Sequence, residues 1–209
     1  MNEKTKANLI FDLDDTLIDT SSVILRRIVL LLNDYPITEG AFYIHNLLSN
    51  PEREDILGKR YKFAKQFWTD YERLRSDIRP KCIGNVKRKL EFLASKEHKI
   101  GILTNNSEKK VIEFLSQSSI DRTFFNLGIY TVDNLKYTKP NPQCFDQIKS
   151  DCSRGKICYI GDSLLDFYTS RVAQIQFAGV CTGLISRATF LLAGLDKNRI
   201  FNDVHEVNF

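Results

Sequence analysis

Four short apolar runs, each breaking off into polar residues, constrain this chain more than any other feature. They are Leu9-Ile10-Phe11, Ile100-Gly101-Ile102-Leu103, Ile157 to Ile160, and Phe177-Ala178-Gly179-Val180. Runs this short, rich in Ile and Val and apolar at successive positions, fit strands of a parallel sheet covered on both faces. Helical patterns lie between them. Val86, Leu90 and Leu93 line one face of Asn85 to Lys96, and Val111, Phe114 and Leu115 line one face of Ser107 to Gln117. Ser107 stands where an N-cap is expected, with Glu108 in the first turn. Strand–helix alternation of this kind predicts an α/β fold, a Rossmann-like doubly wound parallel sheet. In such sheets the ligand sits beyond the carboxyl ends of the strands.

One stretch departs from the alternation. From Thr20 to about Arg79 the pattern is helical throughout, with Ile24, Ile28, Leu31 and Leu32 at helical spacing before the break at Pro36. Asn50-Pro51 followed by Glu52 and Glu54 reads as a helix start, with proline at the first position and acid at the positive dipole end. Ile56, Phe63, Phe67, Tyr71 and Leu74 then form an apolar stripe. The expected organisation is therefore a core of residues 1–19 and 80–209, with a small all-α module, residues 20–79, inserted after the first strand.

Composition narrows the function. The 30 basic and 26 acidic side chains give a net charge of +4 with no long basic block, so nothing points to nucleic acid. The five cysteines show no C-x-x-C spacing and read as reduced thiols rather than disulfides or a zinc site. The polar start and the aspartate-broken stretch after it fit neither a signal peptide nor a membrane span. The sequence predicts a cytoplasmic protein.

Chemistry concentrates where the runs end. In Leu9-Ile10-Phe11-Asp12-Leu13-Asp14-Asp15-Thr16-Leu17, period-two spacing sets Asp12 and Asp14 on one side as the strand reaches the crevice. Two carboxylates so close call for a cation or a proton; the alternative is a capped turn. In Gly161-Asp162-Ser163-Leu164-Leu165-Asp166, the second acid follows the first by four residues, where a helix is expected to begin. Hard oxygen donors without nearby His or Cys suit Mg2+ better than zinc, although either aspartate alone fits a helix cap. Leu103-Thr104-Asn105-Asn106 offers hydroxyl, amide and N–H groups for a phosphate, or simply caps. Lys139, before Pro140 in a loop stiffened by two prolines, offers a point charge for phosphate, or is a solvated lysine. His45, His98 and His205 are scattered, without a nucleophile at triad spacing, and no Gly-rich nucleotide loop is present.

Taken together and in this order, these pieces resemble the haloacid dehalogenase-like hydrolase superfamily from about Leu9 to Gly183. The resemblance rests on D-x-D-x-T at Asp12, Asp14 and Thr16, the strand-end Thr104, Lys139-Pro140, and G-D-S-x-x-D from Gly161 to Asp166. It implies a phosphatase with its helical cap directly after the first motif. Asp12 would be the nucleophile that forms an aspartyl-phosphate, with Asp14 as general acid and then base. Asp12, the carbonyl of Asp14, and Asp162 would hold Mg2+, with Asp166 helping directly or through water, while Thr104, Asn105 and Lys139 would bind the phosphoryl group of a small phosphorylated metabolite such as a nucleotide, sugar phosphate or phosphoglycolate. Thr16 would fix the loop after the strand. Dehalogenases of the superfamily lack the second aspartate, so Asp14 favours phosphoryl chemistry. A phosphomutase, a phosphonate hydrolase using a cap lysine such as Lys59, Lys62 or Lys65, and a non-catalytic phosphate-binding relative are the alternatives. Asp15 and His98 stand where relatives often carry glycine, and Gln174-Ile175-Gln176 where small residues are usual.

Overall fold

The structure is a computed structural model, and it describes residues 6–31, 64–74, 78–152 and 155–208. In chain order the elements are β1 (Asn8–Phe11), β2 (Ile18–Asp19), α1 (Ser21–Leu31), α2 (Ala64–Arg73), β3 (Lys81–Cys82), α3 (Val86–Ser95), β4 (Lys99–Leu103), α4 (Glu108–Gln117), β5 (Gly128–Tyr130), α5 (Asp146–Asp151), β6 (Ile157–Gly161), α6 (Leu164–Val172), β7 (Gln176–Val180), α7 (Arg187–Leu192) and β8 (Ile200–Phe201). By contacts the chain divides into two compact units, residues 1–20 with 80–209, and residues 21–79.

The larger unit is built on a six-stranded sheet of order β5-β4-β1-β6-β7-β8, with every neighbouring pair parallel. This is the doubly wound α/β architecture. From β1 the chain builds outward through β4 and β5, then returns to the other side of β1 with β6. The winding therefore reverses at β1 and β6, and their carboxyl ends frame the crevice where such sheets bind ligands.

Period-two alternation along the strands divides the core in two. Leu9, Phe11, Ile100, Ile102, Cys158 and Ile160 face Val86, Leu90 and Leu93 of α3 and Val111, Phe114 and Leu115 of α4. Ile10, Leu103, Tyr159 and Phe177 face Ile148 of α5, Phe167 of α6 and Phe190 of α7. Ser107 does cap α4, its hydroxyl accepting from Lys110 N at 3.4 Å. β5 and β8, absent from the sequence reading, are short edge strands of three and two residues.

Three positions that depart from the pattern of the resemblance have local causes. Asp15 takes a left-handed backbone (φ 54°), a conformation for which glycine is the usual choice and aspartate is tolerated. Its carboxylate then accepts from Thr20 N at 3.0 Å, locking the turn before β2. Glu97, not His98, makes the left-handed turn into β4 (φ 58°), and His98 Nδ1 accepts from Ala7 N at 3.2 Å. Gln174 likewise turns left-handed after α6 (φ 59°). β2 and β3 pair antiparallel, Asp19 opposite Lys81, so the chain leaves and re-enters the larger unit at neighbouring positions.

In the smaller unit α1 and α2 pack together. Buried Arg27 lies over the Tyr71 ring, 5.6 Å from its centroid, and donates from Nε to Ile78 O at 3.1 Å. The proposed helix start at Asn50-Pro51, with Ile56 and Phe63, lies outside the described residues. Among the described residues no helix is long and apolar enough to cross a membrane. All five cysteines are unpaired.

Candidate active site

The register of the sheet brings the two acidic strand ends together. Phe11 pairs with Ile160, and Asp12 N donates to Ile160 O at 2.8 Å, so Asp12 and Asp162 leave adjacent strands side by side. Asp166 joins them from the first turn of α6. Its position is set by a reciprocal cap: Ser163 Oγ accepts from Asp166 N, and the Asp166 carboxylate accepts from Ser163 N. Gly161 leaves room for it, since a Cβ there would lie 2.8 Å from the Asp166 Cβ. Oxygens of Asp12, Asp162 and Asp166 come within 4.8 Å of one another, and all three residues are buried.

Lys139 is buried among them rather than solvated. Its Nζ donates to Asp12 Oδ1 at 2.7 Å, to Asp166 Oδ1 at 2.7 Å and to the Tyr159 hydroxyl at 2.8 Å. The loop bearing it is pinned by Asn105, which donates from Nδ2 to Lys139 O at 2.9 Å and accepts from Lys139 N at 3.2 Å. Asn105 thus positions the lysine through its backbone. Thr104 is buried, its N donating to Tyr130 O and its Oγ1 accepting from Asn106 N at 3.2 Å. Asp14 is not one of the three clustered carboxylates, and its side chain accepts from Asn106 Nδ2. Thr16 reaches beyond its own loop to donate to Asp162 Oδ1 at 3.1 Å.

One ammonium among three buried carboxylates leaves a charge deficit. Burial, with Asp166 and Asp14 nearby, pushes the Asp12 carboxyl well above its ordinary value, against the pull of Lys139. Burial, then Asp166 and Asp15, push Asp162 up to about 7. Burial works against the Lys139 charge, but Asp12 and Asp166 overcome it and hold the group protonated. The donor set is all carboxylate oxygen, and such a cluster fits a hard divalent cation, which would restore the ionised forms.

Sequence reasoning assigned no catalytic or binding role to Tyr159, inside the apolar run Ile157 to Ile160, or to Asn106, which ends Leu103-Thr104-Asn105-Asn106. Tyr159 is fully buried and its hydroxyl donates to Asp166 Oδ1 at 2.7 Å. The only signal was a phenol within an otherwise apolar strand, which when buried needs a hydrogen-bond partner.

Known proteins share this arrangement of sheet and sequence. The chain is 24% identical over 188 residues to the pyrophosphatase PpaX of Bacillus cereus, covering 86% of this chain and 85% of that protein. A solved structure from Thermotoga maritima, provisionally described as a β-phosphoglucomutase, superposes with a TM-score of 0.74 at 23% identity, over 95% of this chain and 94% of that one. Another, the hydrolase YfnB of Bacillus subtilis solved bound to magnesium, gives a TM-score of 0.67 at 20% identity, over 88% and 90% of the two chains. The family described as haloacid dehalogenase-like hydrolase matches residues 9–180, which include every carboxylate of the site, and the chain belongs to that family.

Proposed function

We propose that this protein is a Mg2+-dependent phosphatase that hydrolyses a small phosphomonoester through a phosphoryl group carried on Asp12. The observation that carries the reading is the buried contact of Lys139 Nζ with Asp12 Oδ1 at 2.7 Å, beside two further carboxylates at the switch point of the sheet. An anionic nucleophile can approach an anionic phosphate only where positive charge offsets their repulsion.

Asp12, the carbonyl of Asp14, Asp162 and Asp166 are the residues that would hold Mg2+. When bound, the ion supplies charge neutralisation at the phosphoryl oxygens and keeps Asp12 ionised. Asp12 Oδ attacks phosphorus, and the bond from phosphorus to the leaving oxygen breaks. Asp14 gives that oxygen its proton, in an orientation fixed by Asn106. Asp14 then takes a proton from water, which attacks the same phosphorus, releases phosphate and regenerates the Asp12 carboxylate. Lys139 and Thr104 serve the transferring group, and Asn105 holds Lys139 in place. Residues 20–79 serve as the cap that selects the leaving group.

Basic residues of the proposed cap are candidates for selecting the substrate: Arg26 is exposed on α1, whereas Arg53, Arg60, Lys59 and Lys62 lie outside the described residues. The likeness to PpaX makes inorganic pyrophosphate a substrate to include. The likeness to the Thermotoga protein keeps phosphoryl transfer to a second sugar hydroxyl, a mutase reaction, as the second reading. A panel of phosphorylated metabolites with pyrophosphate, assayed with Mg2+ and with chelator, tests the proposal. Metal-dependent phosphate release from monoesters is expected; full activity under exhaustive chelation, or none with any substrate, contradicts it.

A further inference from the structure

Tyr159 sits at the centre of the charged cluster, and the phosphatase scheme leaves it unused. Its ring is wedged in the core, edge-on to Phe145 with centroids 5.2 Å apart and tilted against Phe177 at 6.0 Å. Its hydroxyl sits against the Lys139 ammonium and the Asp166 carboxylate. An ammonium has three hydrogens to donate, and in Lys139 all three are used, on Asp12, Asp166 and Tyr159. Asp166 in turn accepts from Lys139, Tyr159, Ser163 N and Ser163 Oγ.

This counting decides what can move. If a phosphoryl oxygen is to take a hydrogen bond from Lys139, one existing partner must be given up. Asp166 is anchored by its cap and Tyr159 by its packed ring, so Asp12 is the contact free to exchange. Resting on the phosphatase reading, we propose that Tyr159 is a positioning residue for Lys139. Its hydroxyl, accepting from Nζ and donating to Asp166, keeps the ammonium in place while one hydrogen passes from Asp12 to the phosphoryl group. The same exchange frees an oxygen of Asp12 for attack.

Tyr159→Phe removes the hydroxyl and keeps the ring. Calorimetric binding of inorganic phosphate in the presence of Mg2+, which needs no turnover, would be measured for the wild type, Tyr159→Phe, Lys139→Met and the double variant. A hydrogen bond to a charged group corresponds to roughly a ten- to hundredfold change in binding, so Tyr159→Phe should weaken phosphate by that factor. In the Lys139→Met background the same change should have no further effect, because a residue acting through another loses its influence when that one is gone. Should Lys139→Met not fold, the rate of Lys139 acetylation by acetic anhydride decides. It should rise several-fold in Tyr159→Phe and stay at the wild-type value in Tyr130→Phe, whose hydroxyl instead donates to Asp151.

Wild-type phosphate affinity in Tyr159→Phe, or an equal loss with and without Lys139, overturns the inference, as does a wild type that binds no phosphate. Coupled phosphate binding without hydrolysis of any monoester would leave it standing and sink the phosphatase reading. Hydrolysis without coupling would do the reverse.

Discussion

Gly161→Ala should destabilise the protein although the backbone there needs no glycine conformation. The added Cβ would lie 2.8 Å from the Cβ, Cγ and Oδ2 of Asp166, roughly 1 Å inside the ordinary carbon–carbon contact distance. Asp166 cannot simply turn aside. Its carboxylate is held by Lys139, Tyr159 and Ser163, and its Cβ is fixed to the capped first turn of α6. Either α6 slides along the sheet or the carboxylate leaves the cluster. Overpacking of this kind costs about 1–3 kcal/mol. In a chain of this size each kcal/mol shifts the melting temperature by about 2–4 °C, so a loss of about 2–12 °C is expected by calorimetry or circular dichroism. Without the clash, replacing glycine by alanine would stabilise by about 0.4–1 kcal/mol through the unfolded state. An unchanged or raised melting temperature would therefore refute the packing argument.

Other perturbations separate the roles assigned above. Asp14→Asn should slow hydrolysis of alkyl phosphates by about 10²–10⁴-fold, yet slow phosphoryl transfer from an activated aryl phosphate less, because a phenol leaves without a proton; rapid-quench rates showing equal losses would remove the acid role. Asp162 holds its proton up to about 7 when folded, whereas an unfolded aspartate releases it near about 4. Between those values the folded state binds more protons, so the stability of metal-stripped protein should fall as pH rises from about 4 to about 7. Mg2+ should therefore raise the melting temperature more at pH 8 than at pH 5, and an equal gain at both would contradict the placement of Asp162 in the metal site.

The strand ends were legible because two signals coincide there. An apolar run that breaks off into polar residues marks both a buried strand and its exit into the crevice, and Asp12, Asp162 and Thr104 all follow such runs. Helices α3 and α4 were legible because their buried residues recur at helical spacing against a single sheet face. β5 and β8 were not, since Gly128–Tyr130 and Ile200–Phe201 are too short to carry a period and each pairs with one neighbour only. The burial of Lys139 was beyond local pattern: an ammonium becomes a core group only when Asp12 and Asp166, far away in sequence, are folded around it. Tyr159 was hidden for the same reason, because its hydroxyl finds partners that no spacing within the strand announces. The reach of Thr16 to Asp162 likewise depends on the β1–β6 pairing, which alternation implies only as a topology and not as a register.

The central claim is that Asp12 carries the phosphoryl group. Rapid acid quench during turnover, followed by proteolysis and mass spectrometry, tests it directly, with Asp14→Asn used to slow breakdown of the intermediate. The account predicts a phosphoryl group on the peptide containing Asp12, labile to hydroxylamine as an acyl phosphate should be, and no turnover by a folded Asp12→Asn variant. Catalysis by that variant at a rate near the wild type, with no phosphoryl group on Asp12 at any quench time, would contradict it.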